Sequence, residues 1–127
     1  SDAIIAGLQM GFLATVLIAI NNFRDMDQDV LANKKTLAVR WGARFVRVEI
    51  VSLMVATFAL NLYWLGKGWW VPGLLPLLLT VPAIRLLRAI LTEAPSGKYN
   101  GYLADAAKIQ MLFAGLLSAG FVIENLV

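Results

Sequence analysis

Within nine residues the chain places Asn21, Asn22, Arg24, Asp25, Asp27 and Asp29, the two asparagines closing a run of about twenty uncharged residues from Ala3 to Phe23 and the charges directly after it. If the helix implied by the apolar run continues to Asp29, then Asn21, Asp25 and Asp29 stand at i, i+4 and i+8. Each of those steps turns only about 40° around the axis. The three form one column of oxygen ligands, with Asp27 roughly opposite Asp25.

Such a column is costly without a counter-charge. An unpaired charge costs roughly 2.5–3.5 kcal/mol at the centre of a bilayer and less towards its surface. A cation between the carboxylates removes that penalty. Oxygen-only ligands favour a hard ion such as Mg²⁺, which keeps several waters and bridges carboxylates to substrate phosphates. Lys34 and Lys35 lie just beyond, as point charges for phosphate oxygens. The plainer alternative is an interfacial cap on a membrane helix, with lysines and arginines acting only as topology signals.

The elements that must position these groups follow from composition. Of 127 residues, 60% are apolar and only 15% charged, and mean hydropathy is +0.75. A soluble domain needs more charge to cover its surface, so an all-α, polytopic transmembrane bundle is expected. The chain has no cysteine and no histidine. That excludes a disulfide framework, a Cys/His zinc site and any Ser-His or Cys-His nucleophile.

Four segments meet the roughly 20-residue requirement for a spanning helix: about 3–23, 48–66, 71–91 and 103–126. Pro76 and Pro82 fall inside the third and predict kinks. A long basic loop is expected over about 25–47. With four alternating spans, Arg24, Lys34, Lys35, Arg40, Arg44, Arg47, Arg85, Arg88, Lys98 and Lys108 fall at one face and only Lys67 at the other. The positive-inside rule makes the basic face, and the aspartate-rich loop with it, cytoplasmic. The basic pI of about 9.5 is thus topological, and no nucleic-acid groove is expected. Gln9 and Asn61 read as interhelical glue, Gly7 and Gly11 as a close-packing pair, and Asp105 with Lys108 as a local ion pair. Tyr99 and Tyr102 are expected near the membrane surface, where a phenol could touch an aromatic substrate.

The stretch "NNFRDMDQD…NKKTLAVRWG" (Asn21 to Gly42) resembles the second aspartate-rich motif of the UbiA-type intramembrane prenyltransferases. It is most similar to the MenA branch, whose pattern N-N-x-R-D-x-x-x-D is followed by G-K-x-T-L-A-V-R-x-G. "YNGYLADAAKIQ" (Tyr99 to Gln110) is similar to the family's last recognisable segment. Two departures stand out: Val30 where the family commonly has Arg, and Asn33 where it has Gly. Asn tolerates a left-handed turn better than most residues, so the bend can survive.

The resemblance implies the last four helices of a nine-helix bundle, with a first aspartate-rich motif and an N-terminal half belonging to a longer polypeptide. This chain by itself is then expected to be inactive. It implies that Asp25, Asp29 and Asn21 hold Mg²⁺, and that Asn21, Asn22, Arg24, Lys34, Lys35 and Arg40 serve the diphosphate of a prenyl or phytyl donor. The implied acceptor is 1,4-dihydroxy-2-naphthoate, prenylated with loss of CO₂ towards menaquinone or phylloquinone. Homogentisate and 4-hydroxybenzoate are the alternative acceptors. The implied location is a bacterial inner membrane or a thylakoid or plastid membrane. A transport or ion-binding module is the competing class, since intramembrane acids and kinked helices also describe transporters.

Overall fold

In a solvent without hydrogen-bonding partners, an apolar run must satisfy its backbone amides internally, and each of the four runs does so as helix. The computed structural model describes residues 1–126. Its elements are α1 (Asp2–Arg24), α2 (Met26–Leu31), α3 (Leu37–Ala59), α4 (Asn61–Gly66), α5 (Trp70–Leu74), a 3₁₀ segment (Leu75–Leu79), α6 (Thr80–Thr92) and α7 (Tyr99–Leu126). They join into four rods long and apolar enough to cross a membrane: Asp2–Arg24, Leu37–Gly66, Trp70–Thr92 and Tyr99–Leu126.

The second rod starts eleven residues before the expected Val48, at Leu37. Much of the expected 25–47 loop is therefore helical, being α2 and the start of α3. Hydropathy reports how deep a helix can sit and says nothing of where it begins. Here the beginning is set by Thr36, whose Oγ1 accepts the Val39 amide at 3.3 Å as an N-cap. Gly42, at φ 80°, ψ 176°, then breaks the helical path after one turn. That conformation lies in a region open to glycine. The predicted kink in the third rod appears as the 3₁₀ segment around Pro76, while Pro82 sits in the first turn of α6, where its missing N–H does least harm.

α1 packs against α3 and α7, and α6 packs against α3 and α7, closing a four-rod bundle. Its core includes Leu13, Val16, Ile20, Phe23, Ile50, Met54, Ile90 and Phe113. Among the described residues the close approach assigned to Gly7 and Gly11 is absent: a Cβ at either would meet nothing within 4 Å. Both glycines are exposed, on the face of α1 turned away from α3 and α7. The tight contact is instead at Gly120, where a Cβ would lie 2.5 Å from the Pro72 Cα.

Gln9 and Asn61 do act as glue. Gln9 Nε2 donates to Asn61 Oδ1 at 2.9 Å and to the Thr57 carbonyl at 3.1 Å, while Trp64 Nε1 donates to Gln9 Oε1 at 3.0 Å. Asn61 Nδ2 has no partner among the described residues. This asymmetry predicts unequal costs. Gln9→Leu strands the indole N–H and the Asn61 carbonyl and is expected to cost about 1–3 kcal/mol. Asn61→Leu removes the orphan donor, leaves Gln9 bonded to Thr57, and is expected to cost less than about 1 kcal/mol. Unfolding of the two variants in micelles checks the order.

Arg47 fastens the basic end. It donates to the Ile90 and Glu93 carbonyls at 3.0 and 3.2 Å, capping the C-terminus of α6 where the helix dipole favours a cation. Its guanidinium also lies 5.2 Å from the Phe23 ring centroid. At the opposite end, Lys67 pairs with Asp2 at 2.6 Å, and Tyr63 Oη donates to the same carboxylate at 2.7 Å.

Candidate functional site

The column expected on α1 survives the end of the helix. Asp25 leaves helical geometry slightly (φ −93°, ψ 5°), yet its N–H reaches the Asn21 carbonyl at 3.1 Å and the Asp29 N–H reaches the Asp25 carbonyl at 2.8 Å. The helix expected to run on to Asp29 is instead interrupted by a turn at Asp25, but these two i to i−4 bonds bridge it and keep Asn21, Asp25 and Asp29 at near-helical spacing. Asp27 is exposed.

Arg24 organises the upper part of the column. Its Nε and Nη2 donate to the two Asp25 carboxylate oxygens at 2.7 and 2.9 Å, a fork-to-fork pair. Nη2 also reaches Asn21 Oδ1 at 2.9 Å, and Nη1 reaches Asn100 Oδ1 on α7 at 2.8 Å. Hydrogen bonds from this guanidinium hold the Asp25 carboxyl below its usual range. One side chain thus ties two members of the column to α7.

Asp29 is buried, at 6% exposure. Lys34 Nζ stands 3.5 Å from its Oδ1. The turn that brings Lys34 back is a Schellman closure: Asn33 adopts φ 55° and the Lys34 N–H reaches the Asp29 carbonyl at 2.8 Å. Asn33 thus performs the left-handed bend expected of it in place of glycine.

Beside Arg24 and Asp25 opens a cavity of about 510 Å³, lined also by Gln28, Ser96, Gly97 and Asn100. The structure therefore places Arg24 and Asp25 at the cavity edge, joins Asn21 to them through Arg24, and pairs Asp29 with Lys34. It does not gather the rest of the expected set. Asn22 faces a smaller space of about 90 Å³ between α1 and α3, shared with Thr15 and Glu49. Lys35 and Arg40 are exposed, with no ion pair or hydrogen bond from their side chains among the described residues. Tyr99 is buried, its hydroxyl donating to the Glu93 carbonyl at 2.8 Å, so it is a packing residue. Asp105 and Lys108 form the expected local pair, at 3.9 Å.

Sequence reasoning missed Asn100, although it lies in the quoted "YNGY" stretch; only the contact between α1 and α7 reveals its role. It also missed Glu49, which lies a dozen residues into α3 and not at a span's edge.

The donors of the column suit a hard divalent cation: two carboxylates and an amide oxygen on one face, with no nitrogen or sulfur ligand. They leave most of an octahedral shell to water and phosphate oxygens, the habit of Mg²⁺. No three acidic side chains converge to hold a metal among the described residues, so phosphate or further ligands must complete such a shell. A cation at Asp25 would share that carboxylate with Arg24.

Residues 1–104 match the UbiA prenyltransferase family. The chain is 32% identical to 1,4-dihydroxy-2-naphthoate octaprenyltransferase of Haemophilus influenzae over 97% of its own length and 40% of that protein. It is 31% identical to the enzyme of the same name from Mycobacterium leprae over 68% of its own length and 30% of that protein. The chain thus spans well under half the length of these relatives. No solved structure matches it. An Asn/Asp/Asp column at the end of an apolar rod, joined to a match over residues 1–104, identifies the chain as a member of the UbiA prenyltransferase family.

Proposed function

We propose that the natural protein carrying this chain transfers a prenyl group from an allylic diphosphate to 1,4-dihydroxy-2-naphthoate, in a Mg²⁺-dependent reaction with loss of CO₂. The observation that carries the reading is the register of Asn21, Asp25 and Asp29 on one face, with Arg24 and Lys34 beside them. The names of both relatives support the naphthoate over other acceptors.

Asp25 and Asp29, with Asn21, would hold Mg²⁺, which when bound supplies charge neutralisation for the departing diphosphate. Arg24 orients Asp25 and offers guanidinium N–H groups at the cavity edge. Lys34, its ammonium largely exposed, can swing towards phosphate oxygens. The donor C–O bond breaks with its electron pair leaving on diphosphate. The carboxyl-bearing ring carbon bonds to the allylic carbon, and the C–CO₂ bond then breaks to restore aromaticity. This chemistry needs no enzyme nucleophile, in keeping with the lack of cysteine and histidine. The basic end of the bundle, carrying the column, would face the cytoplasm.

The test is turnover of the natural polypeptide with a prenyl diphosphate and each of three acceptors, with and without Mg²⁺. Prenylated naphthoate with CO₂ release, abolished by chelation, is the expected result. Preference for homogentisate or 4-hydroxybenzoate would overturn the acceptor assignment. Ion flux without prenyl transfer would overturn the reaction class.

A further inference from the structure

Away from the column, a cavity of about 420 Å³ lies between the third rod and α7, its walls polar at one end and apolar at the other. Its cations are Arg85 and Lys108, and Leu79, Leu86 and Leu112 form its apolar side. Arg85 lies seven residues before the last residue of α6, a depth of roughly 10 Å at 1.5 Å per residue. Arg85 has no ion pair or hydrogen bond from its side chain among the described residues. The nearby acid, Asp105, is 3.9 Å from Lys108, so the lining carries two positive charges against one negative. An unpaired guanidinium inside a membrane-spanning rod is costly, and an anionic partner from outside the described residues would offset that cost. Leu79 and Leu112 lie deeper along their helices than Arg85 and Tyr102, so the groove runs from charged to apolar towards the membrane interior.

We propose that this groove binds an anionic phospholipid, with one phosphodiester held by Arg85 and Lys108 and an acyl chain laid along Leu79, Leu86 and Leu112. Charge and polarity both select this occupant. The net single positive charge matches one phosphodiester, and basic pockets between transmembrane helices bind acidic headgroups. The apolar wall gives inorganic phosphate nothing to gain. Arg85 supplies a fork for two phosphate oxygens and Lys108 a snorkelling point charge. The site lies on the α6 side of α7, whereas Asn100 meets Arg24 on the α1 side.

The test uses the natural polypeptide in neutral detergent micelles, titrated with phosphatidylglycerol, phosphatidylcholine or inorganic phosphate. Bound lipid is counted by native mass spectrometry, and Tm is followed in parallel. Phosphatidylglycerol is expected to bind and raise Tm; phosphatidylcholine and phosphate are expected to do neither. Arg85→Gln is expected to weaken phosphatidylglycerol binding by about tenfold, the weight of one charge-assisted contact, without changing prenyl-donor binding. Asp105→Asn is expected to tighten it, and this variant serves if Arg85→Gln does not fold. Equal binding of the two lipids, an equal effect of phosphate alone, or unchanged lipid binding in both variants would overturn the proposal. Loss of prenyl-donor binding in Arg85→Gln would also overturn it, by assigning the groove to the substrate.

Discussion

Asp25→Ala is expected to reduce prenyl transfer by about 10²–10³, the usual loss when one preorganised electrostatic group is removed from a reacting centre. The deletion acts twice. It removes an oxygen of the proposed metal site, and it frees Arg24 from the carboxylate that now receives two of its hydrogen bonds at 2.7 and 2.9 Å. Asp25→Asn separates the two effects, since its one oxygen still accepts from Arg24 while the negative charge is gone. If charge is what matters, Asn is expected to be nearly as inactive as Ala while leaving thermal unfolding unchanged. Transfer within a few-fold of the natural protein in both variants would remove Asp25 from the site. The pair also sets a pH limit. Because Arg24 lowers the Asp25 pKa, the contribution of the pair is complete above the ordinary aspartate value of about 3.9 and is lost as pH falls below it. An acid limb in transfer rate well above pH 4 must therefore come from another group.

Gly120→Ala is expected to give the largest loss of stability from any single added methyl group. The new Cβ would stand 2.5 Å from the Pro72 Cα and 2.7 Å from its N. Both are backbone atoms of α5, which no rotamer change can move. Overpacking of this kind costs about 1–3 kcal/mol or more, and here relief requires α5 to back away from α7. Gly73→Ala meets the Leu65 side chain at 2.5 Å, whose outer atoms can rotate, so its cost should be lower. Gly11→Ala, with nothing within 4 Å, should be close to neutral in this bundle. Unfolding of the three variants in the same micelles tests that ranking, and a neutral Gly120→Ala would contradict the close contact.

The rods were legible because a membrane helix is written in composition: about twenty apolar residues admit little else. Their ends were less so. Arg40, Arg44 and Arg47 made α3 look like loop, because charge limits membrane depth without limiting helicity. Within the site, the α1 column could be read from spacing alone, being local and periodic. Arg24 shows the limit of that reading. Its type suggested a phosphate ligand, but it spans Asn21, Asp25 and Asn100, and the last of these is a tertiary contact that no local period reports. The small-residue pair at Gly7 and Gly11 misled for the converse reason: glycine permits close approach without supplying the neighbour.

The bond from Arg24 to Asn100 joins residues 76 positions apart, and it bears on synthesis. A ribosome makes α1 long before α7, at about 5–20 residues per second. During that interval the guanidinium has only Asn21 and Asp25 to hold, and the cavity wall formed by Ser96, Gly97 and Asn100 does not yet exist. A nascent chain released before Tyr99 would carry the aspartate column without the wall that faces it. The arrangement is therefore completed only when α7 arrives.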